Sequence, residues 1–590
     1  MKNVHEQENS LFESGFDLDN KSLLPFQPTP IFFNAGSTPT APATAAAVAP
    51  GATLITGSSG FKINLVWDST VVGSSAFQNA AMGAAQTIAN LITDQITVNI
   101  GITNSGTGGG AGAGPTTGLY ESYASVLSKL SGTFKYLPAG TSVQSQSSVA
   151  VWNAQLKLWG WVSPTATALD ASATFATDID PNYITGVVLH ELHHALGGVP
   201  YGSAPDVFDL FRFTAPGKML FSSSIPSQTA YFSIDGGITK LAYFGISSDP
   251  SDFYNGIPTG GSQTVYNTSR DAFSEFYNPG INGAYQYLTA ADLHLMDTLG
   301  YHLQPLQTLT DVTKFSLANT TPIIIYDSSQ AIVGALDALN AGINQIYSIT
   351  QSDAGLALNI SAAQSVADQS ILMLMGVYEP LKLNILGTAN ADNIIGVAGT
   401  DVINGLEGLN TINLNYHTTS DTMVHNVGVN LLNLDKVTGF LATDNLQLAN
   451  SSSSLNGLTN LFSGLTQGNN VAVTPGIQAV TGGSAFTVKT NGVDVIDVGG
   501  TKTFANVGAL IADFATSGTG HTYATFGASV ASGSHFLVEY MGTDKGLHIA
   551  EITQGTAGTH LATNSSGVDL VDLIGVTTHL NAAHLQILAA

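Results

Sequence analysis

GVVLHELHHALGG, residues Gly186 to Gly198, carries two histidines four positions apart with a glutamate directly after the first. On a helix, positions i and i+4 share a face, so His190 and His194 can present two imidazole nitrogens to one cation such as Zn2+. Glu191 then has its carboxylate beside the cation rather than on it, placed to take a proton from a water that the cation polarises. His193 points off that face and reads as a wall or surface histidine. The flanks also read as helix: Asp180-Pro181 offers a cap and a first-turn proline, Ile184, Val187, Val188, Leu192 and Leu196 an apolar face, and Gly197-Gly198 a stop. The alternative is chance, two histidines and a glutamate falling together on a buried helix.

Working outward, 590 residues are too many for one core and imply three or more domains. Lys+Arg 16 against Asp+Glu 41 leaves a net charge of -25, which argues against nucleic acid or an anionic membrane as partner and is compatible with calcium. With no cysteine, neither a disulfide framework nor a thiolate site is available. The first residues, MKNVHEQENSLFESGFDLDNKS, lack the apolar core of a secretory signal, and no stretch of about twenty apolar residues predicts a membrane span. Residues 1-55 end in a Pro/Ala/Thr/Gly tract and read as a flexible leader.

From Phe61 the pattern turns orderly. Phe61, Ile63, Leu65 and Trp67 alternate with polar residues as a half-buried strand, Phe77 to Thr93 has helical spacing of Ala81, Ala84, Ala85, Ile88 and Leu91, and Ile96 to Ile102 alternates again. A glycine-rich loop from Ser105 to Pro115 and a helix around Ser147 to Gly160 are expected before the His190 helix. Four later blocks follow in order: Asp209-Leu210-Phe211-Arg212-Phe213, Tyr231 to Gly237 (YFSIDGG), Ser251-Asp252-Phe253-Tyr254, and Leu288 to Asp292 running on to Leu299-Gly300-Tyr301. With the HExxH helix, this series resembles a bacterial group of secreted zincin-type zinc metalloproteases, over roughly Gly60 to Tyr301. The resemblance implies an α+β zincin-like metalloprotease domain over 56-304.

The third zinc ligand is where the chain departs from the compact metzincin pattern, because position 200 is Pro200. The resemblance favours Asp252, since relatives carry an Asp or His in that block, and a carboxylate oxygen is an ordinary zinc donor. Asp206, Asp209, His294 and His302 remain alternatives, and Asp252 as a solvated loop carboxylate is the plain reading. Asp235 reads as a turn former, Met296 as a core methionine, and Tyr254 as either an oxyanion partner or a packing residue.

Beyond Tyr301, residues 305-386 resemble a helix-and-strand spacer of large secreted bacterial proteins, with a helix from Ala331 to Ala341. Then GTANADNII, GVAGTDVIN and GLEGLNTIN repeat every nine residues from Gly387, Gly396 and Gly405. Asp392, Asp401 and Asn410 hold the sixth position, and Ile394, Ile403 and Ile412 the eighth. This is the pattern of a hemolysin-type (RTX) calcium-binding parallel β-roll, in which the sixth residue binds Ca2+ and the isoleucine fills the roll. Departures at Ala391, Leu409 and Asn410 imply one or two ions over 387-413; a metal-free roll fragment is the alternative. Residues 414-590 read as β-rich, as two sheets or a continued roll, and SHFLVEYMGTDKGLHIAEI with the closing VDLVDLIGVTTHLNAAHLQILAA resembles the C-terminal region of type I secretion substrates. The six histidines there, His521, His535, His548, His560, His579 and His584, read as ordinary polar residues rather than a second zinc site.

The expectation is an α+β zincin-like metalloprotease domain followed by a β-rich C-terminal half with a short parallel β-roll. Its function would be an extracellular zinc endopeptidase acting on protein or peptide substrates, with Glu191 as base and His190, His194 and Asp252 on the metal, exported by type I secretion machinery. The rival expectation is a surface or S-layer-like adhesive protein built on a silent zincin scaffold.

Overall fold

In the computed structural model, residues 31–34, 51–71, 74–130, 136–201, 204–221, 229–245, 249–274, 288–317, 322–378, 380–397, 399–417, 419–427, 434–450, 472–473, 477–488, 495–580 and 584–588 are described. The chain divides into two compact units, Met1–Tyr326 with Ala341–Ile349, and Asp327–Asn340 with Thr350–Ala590. The expected spacer, 305-386, is therefore split between the two and is not a body of its own. Among the described residues no helix is long and apolar enough to cross a membrane.

In the first unit, the alternation around Phe61 becomes the strand Lys62–Trp67, with Ile63, Leu65 and Trp67 buried. It pairs in parallel with Thr97–Asn104, so the intervening helix, Ser75–Leu91, is a crossover. The sheet runs Gly51–Thr56, Lys62–Trp67, Thr97–Asn104, Ala171–Phe175, Ala111–Pro115, with antiparallel strands at its two edges. The buried face of Ser75–Leu91 is mostly alanine, Ala81, Ala84, Ala85 and Ala89, and this lets it pack closely against the helix Ile184–Ala195. That second helix also packs on the strands Ala111–Pro115 and Ala171–Phe175.

Several local expectations are corrected. The leader 1-55 contributes two strands: Ile31–Asn34 pairs with Thr117–Ser122, and Gly51–Thr56 is an edge of the main sheet; the rest of 1-50 lies outside the described residues. The loop expected from Ser105 to Pro115 ends in the strand Ala111–Pro115, where Ala111 and Ala113 alternate inward and the proline sits on an edge strand that needs no donor there. The helix expected from Ser147 to Gly160 is a strand, Ser148–Trp152, then a short helix, Asn153–Leu158. Pairing with Thr117–Ser122 draws the β-favouring run Val149-Ala150-Val151-Trp152 into a sheet, a non-local partner that helical periodicity does not register.

The short helix is stapled to the sheet by one buried ion. Lys157 Nζ donates to Thr97 O (2.9 Å), Ala166 O (2.9 Å) and Asp170 Oδ2 (2.6 Å), using all three of its protons. Asp170 also accepts from the Asn99 backbone N–H at 2.7 Å and from the Asn153 side chain.

In the second unit the nonapeptide repeats form a roll. The chain alternates between two parallel sheets: Leu383–Thr388, Val402–Leu406, Thr422–Val427 and Asn445–Asn450 stack in one, and Asn393–Ile395, Leu409–Asn413 and Leu434–Thr438 in the other. The isoleucines at the eighth position, Ile394, Ile403 and Ile412, lie in two buried ladders, Ile385–Ile403–Met423–Leu446 and Ile394–Ile412–Val437. Thus the roll does not stop at residue 413. After an excursion the chain returns with Ser566–Ile574 and Leu585–Leu588, which add one strand to each sheet. The excursion extends the second sheet with Leu547–Thr553, His535–Met541, Val495–Gly499 and Ile477–Thr481 and packs the helix Val507–Ala515 into an apolar cluster of its own.

Candidate metal centre

The HExxH residues lie on the helix Ile184–Ala195, whose residues from Gly186 onward are all buried. Asp180-Pro181 does not cap it; the helix begins three residues later after a turn, with Tyr183 at the N-cap. The glycine stop is as expected. Gly197 has φ +106°, and the N–H groups of Gly197 and Gly198 donate to His194 O and His193 O, both at 3.0 Å, closing a Schellman turn. That turn brings the Gly198 carbonyl back to within 3.0 Å of His194 Nδ1. His190 Nδ1 is likewise 3.0 Å from Ala272 O. A carbonyl can only accept, so both Nδ1 atoms carry the proton and both Nε2 atoms present lone pairs.

Those lone pairs converge. His194 Nε2 lies 3.1 Å from His190 Nε2, and Asp252 Oδ1 lies 3.3 Å from His190 Nε2 and 3.1 Å from His194 Nε2. Three such atoms facing one another need positive charge between them, as a proton or as a metal ion. Ligands bound to one tetrahedral zinc at about 2.0–2.2 Å stand about 3.3 Å or slightly more from each other, so this triangle has zinc's dimensions to within a few tenths of an ångström. Asp252 is fully buried and neither of its oxygens has a hydrogen-bond partner, which excludes the solvated-loop reading. The demand for positive charge also shows in titration. Burial disfavours the His194 imidazolium, yet Asp252 outweighs it and holds the pKa up at about 10. Burial pushes Asp252 upward and the two imidazoles pull it further down, to about 2.

Glu191 stands outside this triangle. Burial lifts its carboxyl to about 7 against the pull of His190 and His194, and its Oε2 is buried without a hydrogen-bond partner. His193 is a wall residue, as half of the expectation had it, but a buried one rather than a surface one; burial pushes its pKa down to about 3. Its Nδ1 is 3.6 Å from Asp292 Oδ1.

The other sequence candidates lie elsewhere. Asp206 accepts from Trp152 Nε1 at 3.3 Å and from the Asp209 backbone at 2.9 Å; Asp209 is 3.4 Å from Arg212. His294 stacks on Tyr347, centroids 4.1 Å apart, and His302 pairs with Asp94 at 2.7 Å. Asp235 accepts from Thr239 and Ile238 N–H in its turn, Met296 is core, and Tyr254 donates its backbone N–H to Tyr243 O.

Sequence reasoning passed over Asp271 to Ser274, which builds the floor. The Phe273 ring lies 4.9–5.3 Å from the rings of His190, His193 and His194. Phe253 and Phe273 pair by backbone, with Phe253 N–H on Phe273 O at 2.7 Å, so one contact sets both the Asp252 segment and the floor. Asp271 in turn accepts from Phe273 N–H at 2.7 Å and from the Thr289 hydroxyl. Ala272 is an acceptor only through its carbonyl, which no residue type announces.

No family model, curated protein or solved structure matches this chain.

The calcium candidates are not drawn to one point. Asn410 Oδ1 accepts from Asp392 N–H (3.0 Å) and its Nδ2 donates to Asp435 (2.8 Å), while Asp401 N–H donates to Asp421 and Asp421 N–H to Asp444, both at 2.9 Å. Two ladders of acidic and amide side chains thus run along the roll. A histidine ends each: His425 on Asp435 at 2.7 Å and His417 on Asp444 at 2.9 Å. Asp421 Oδ2 is buried with no hydrogen-bond partner, an oxygen that a calcium ion fits. Of the six C-terminal histidines, His548 lies between Asp544 and Asp572, and His579 meets Asp497 and Glu539, which together form the second group of metal-ligand type among the described residues.

Proposed function

We propose that this chain is a secreted zinc-dependent endopeptidase. The observation that carries the reading is the convergence of His190 Nε2, His194 Nε2 and Asp252 Oδ1 within 3.1–3.3 Å, with Glu191 next in the chain and one of its oxygens unpartnered. His190, His194 and Asp252 would hold the zinc, which would supply a lowered water pKa, towards about 7, and polarisation of a carbonyl. The Ala272 and Gly198 carbonyls keep both imidazoles in the ligating tautomer. Glu191 accepts the proton of the attacking water and returns it to the leaving amine. The Phe273 ring packs against both imidazoles and helps fix their orientation.

Zinc content and digestion of casein or a peptide library, measured on one preparation, test this. Cleavage is expected, lost on chelation and restored by zinc. A protein that holds zinc at this centre and cuts no peptide is the silent scaffold of an adhesive surface protein instead.

The same proposal places the protein outside the cell, delivered by type I secretion machinery, with calcium acting on the roll. It is supported by the acidic, cysteine-free composition and by the buried ladder, in which Asp421 Oδ2 has no hydrogen bond and only His417 Nδ1, 3.7 Å away, as an ion-pair neighbour. Calcium is expected to raise the thermal transition of the second unit; an ion at a hundredfold excess over its Kd adds about 2.7 kcal/mol. Melting that is identical in calcium and in chelator, at extracellular calcium levels, removes the calcium part.

A further inference from the structure

Asp497 in the strand Val495–Gly499 and Glu539 in the strand His535–Met541 are direct register partners in a parallel pair. Like charges side by side on a sheet destabilise it, and Glu539 is fully buried, so water does not relieve the repulsion. His579, from the segment after Ser566–Ile574, reaches over both: its Nδ1 is 2.6 Å from Asp497 Oδ1 and 3.0 Å from Glu539 Oε1. These are ion-pair distances, shorter than the about 3.3 Å between atoms that share one zinc, so an ion taken up here spreads the three side chains by several tenths of an ångström. His579 Nδ1, Asp497 Oδ1 and Glu539 Oε2 are all buried atoms with no hydrogen-bond partner. Glu539 Oε1 is held in place by the Leu580 N–H at 2.8 Å.

We propose that Asp497, Glu539 and His579 are a second metal site, for a divalent first-row transition ion such as zinc. A protonated His579 supplies one positive charge against two carboxylates, whereas a divalent ion with neutral imidazole balances both. One nitrogen and two carboxylates suit zinc and its neighbours; calcium takes six to eight oxygens. Side-chain exposure of 16% at Asp497 and 23% at His579, against 0% at Glu539, puts one edge of the group near solvent, while the ligating atoms themselves are buried. The role is structural: the ion ties the chain at His579 to the sheet, just ahead of the closing strand Leu585–Leu588.

Equilibrium dialysis of the full chain against zinc alone tests the site. Wild type is expected to bind two equivalents. The His190→Ala/His194→Ala variant should keep one, and His579→Asn should lose one while its peptide cleavage stays at wild-type level. No zinc in the double variant overturns the second site and leaves the proposed function standing, as does full wild-type stoichiometry in His579→Asn. The double variant carries an intact C-terminal unit, so its result stands even if His579→Asn fails to fold.

Discussion

Glu191→Gln is expected to keep its zinc and to lose kcat/KM for peptide cleavage by about 10²- to 10⁴-fold, the usual contribution of a positioned acid–base group. The amide fills the same volume but takes up no proton at neutral pH. Zinc stays because the three converging atoms belong to His190, His194 and Asp252. The fold should stay too. Burial raises the Glu191 carboxyl to about 7; a group raised in the folded state stabilises it fully below its unfolded pKa and loses that contribution as pH rises through the folded value. In the zinc-free protein at pH 8 the wild-type carboxylate is therefore a burden that the amide lacks, so thermal stability of the zinc-free form at that pH is expected to be equal or higher. Peptide cleavage within tenfold of wild type would remove Glu191 as the base.

Lys157→Met should unfold the first unit more easily by about 3–5 kcal/mol, the cost of stranding one member of a buried ion pair. Three acceptors lose their donor at once, and Asp170 is left with the Asn99 and Asn153 bonds alone. All four tryptophans, Trp67, Trp152, Trp159 and Trp161, lie in this unit, so indole fluorescence during urea unfolding reports on it without interference from the other. Lys157→Met/Asp170→Leu should regain much of the loss, because an apolar pair leaves no buried charge. A shift below about 1 kcal/mol, typical of an exposed pair, would show that the helix Asn153–Leu158 is held by packing alone.

What could be read in advance follows from how local each constraint is. His190, Glu191 and His194 were legible because one helix turn brings them together, and Ile394, Ile403 and Ile412 because the roll repeats its contacts. Asp252 was suggested by the order of motif blocks alone; no spacing rule separates it from Asp206, Asp209 or His294, which are just as acidic or as basic and lie in other networks. The roll beyond residue 413 stood in the sequence only as one of two alternatives because its rungs lengthen: Ile385 to Ile403 is eighteen positions, Ile403 to Met423 twenty and Met423 to Leu446 twenty-three. Ser148–Trp152 was misread because its partner lies beyond the helix Tyr123–Leu130, and the meeting of His579 with Asp497 and Glu539 could not be read because those acids come from strands far back in the chain.

The return of Leu585–Leu588 to pair with Asn445–Asn450 has a consequence in time. A ribosome delivers residue 450 long before residue 585, and throughout that interval the strand Asn445–Asn450 has an open hydrogen-bonding edge towards its future neighbour. An unpaired edge invites pairing with other chains. Completion of this half of the molecule therefore waits for the last strand to emerge, and a chain paused short of it is the form most exposed to aggregation.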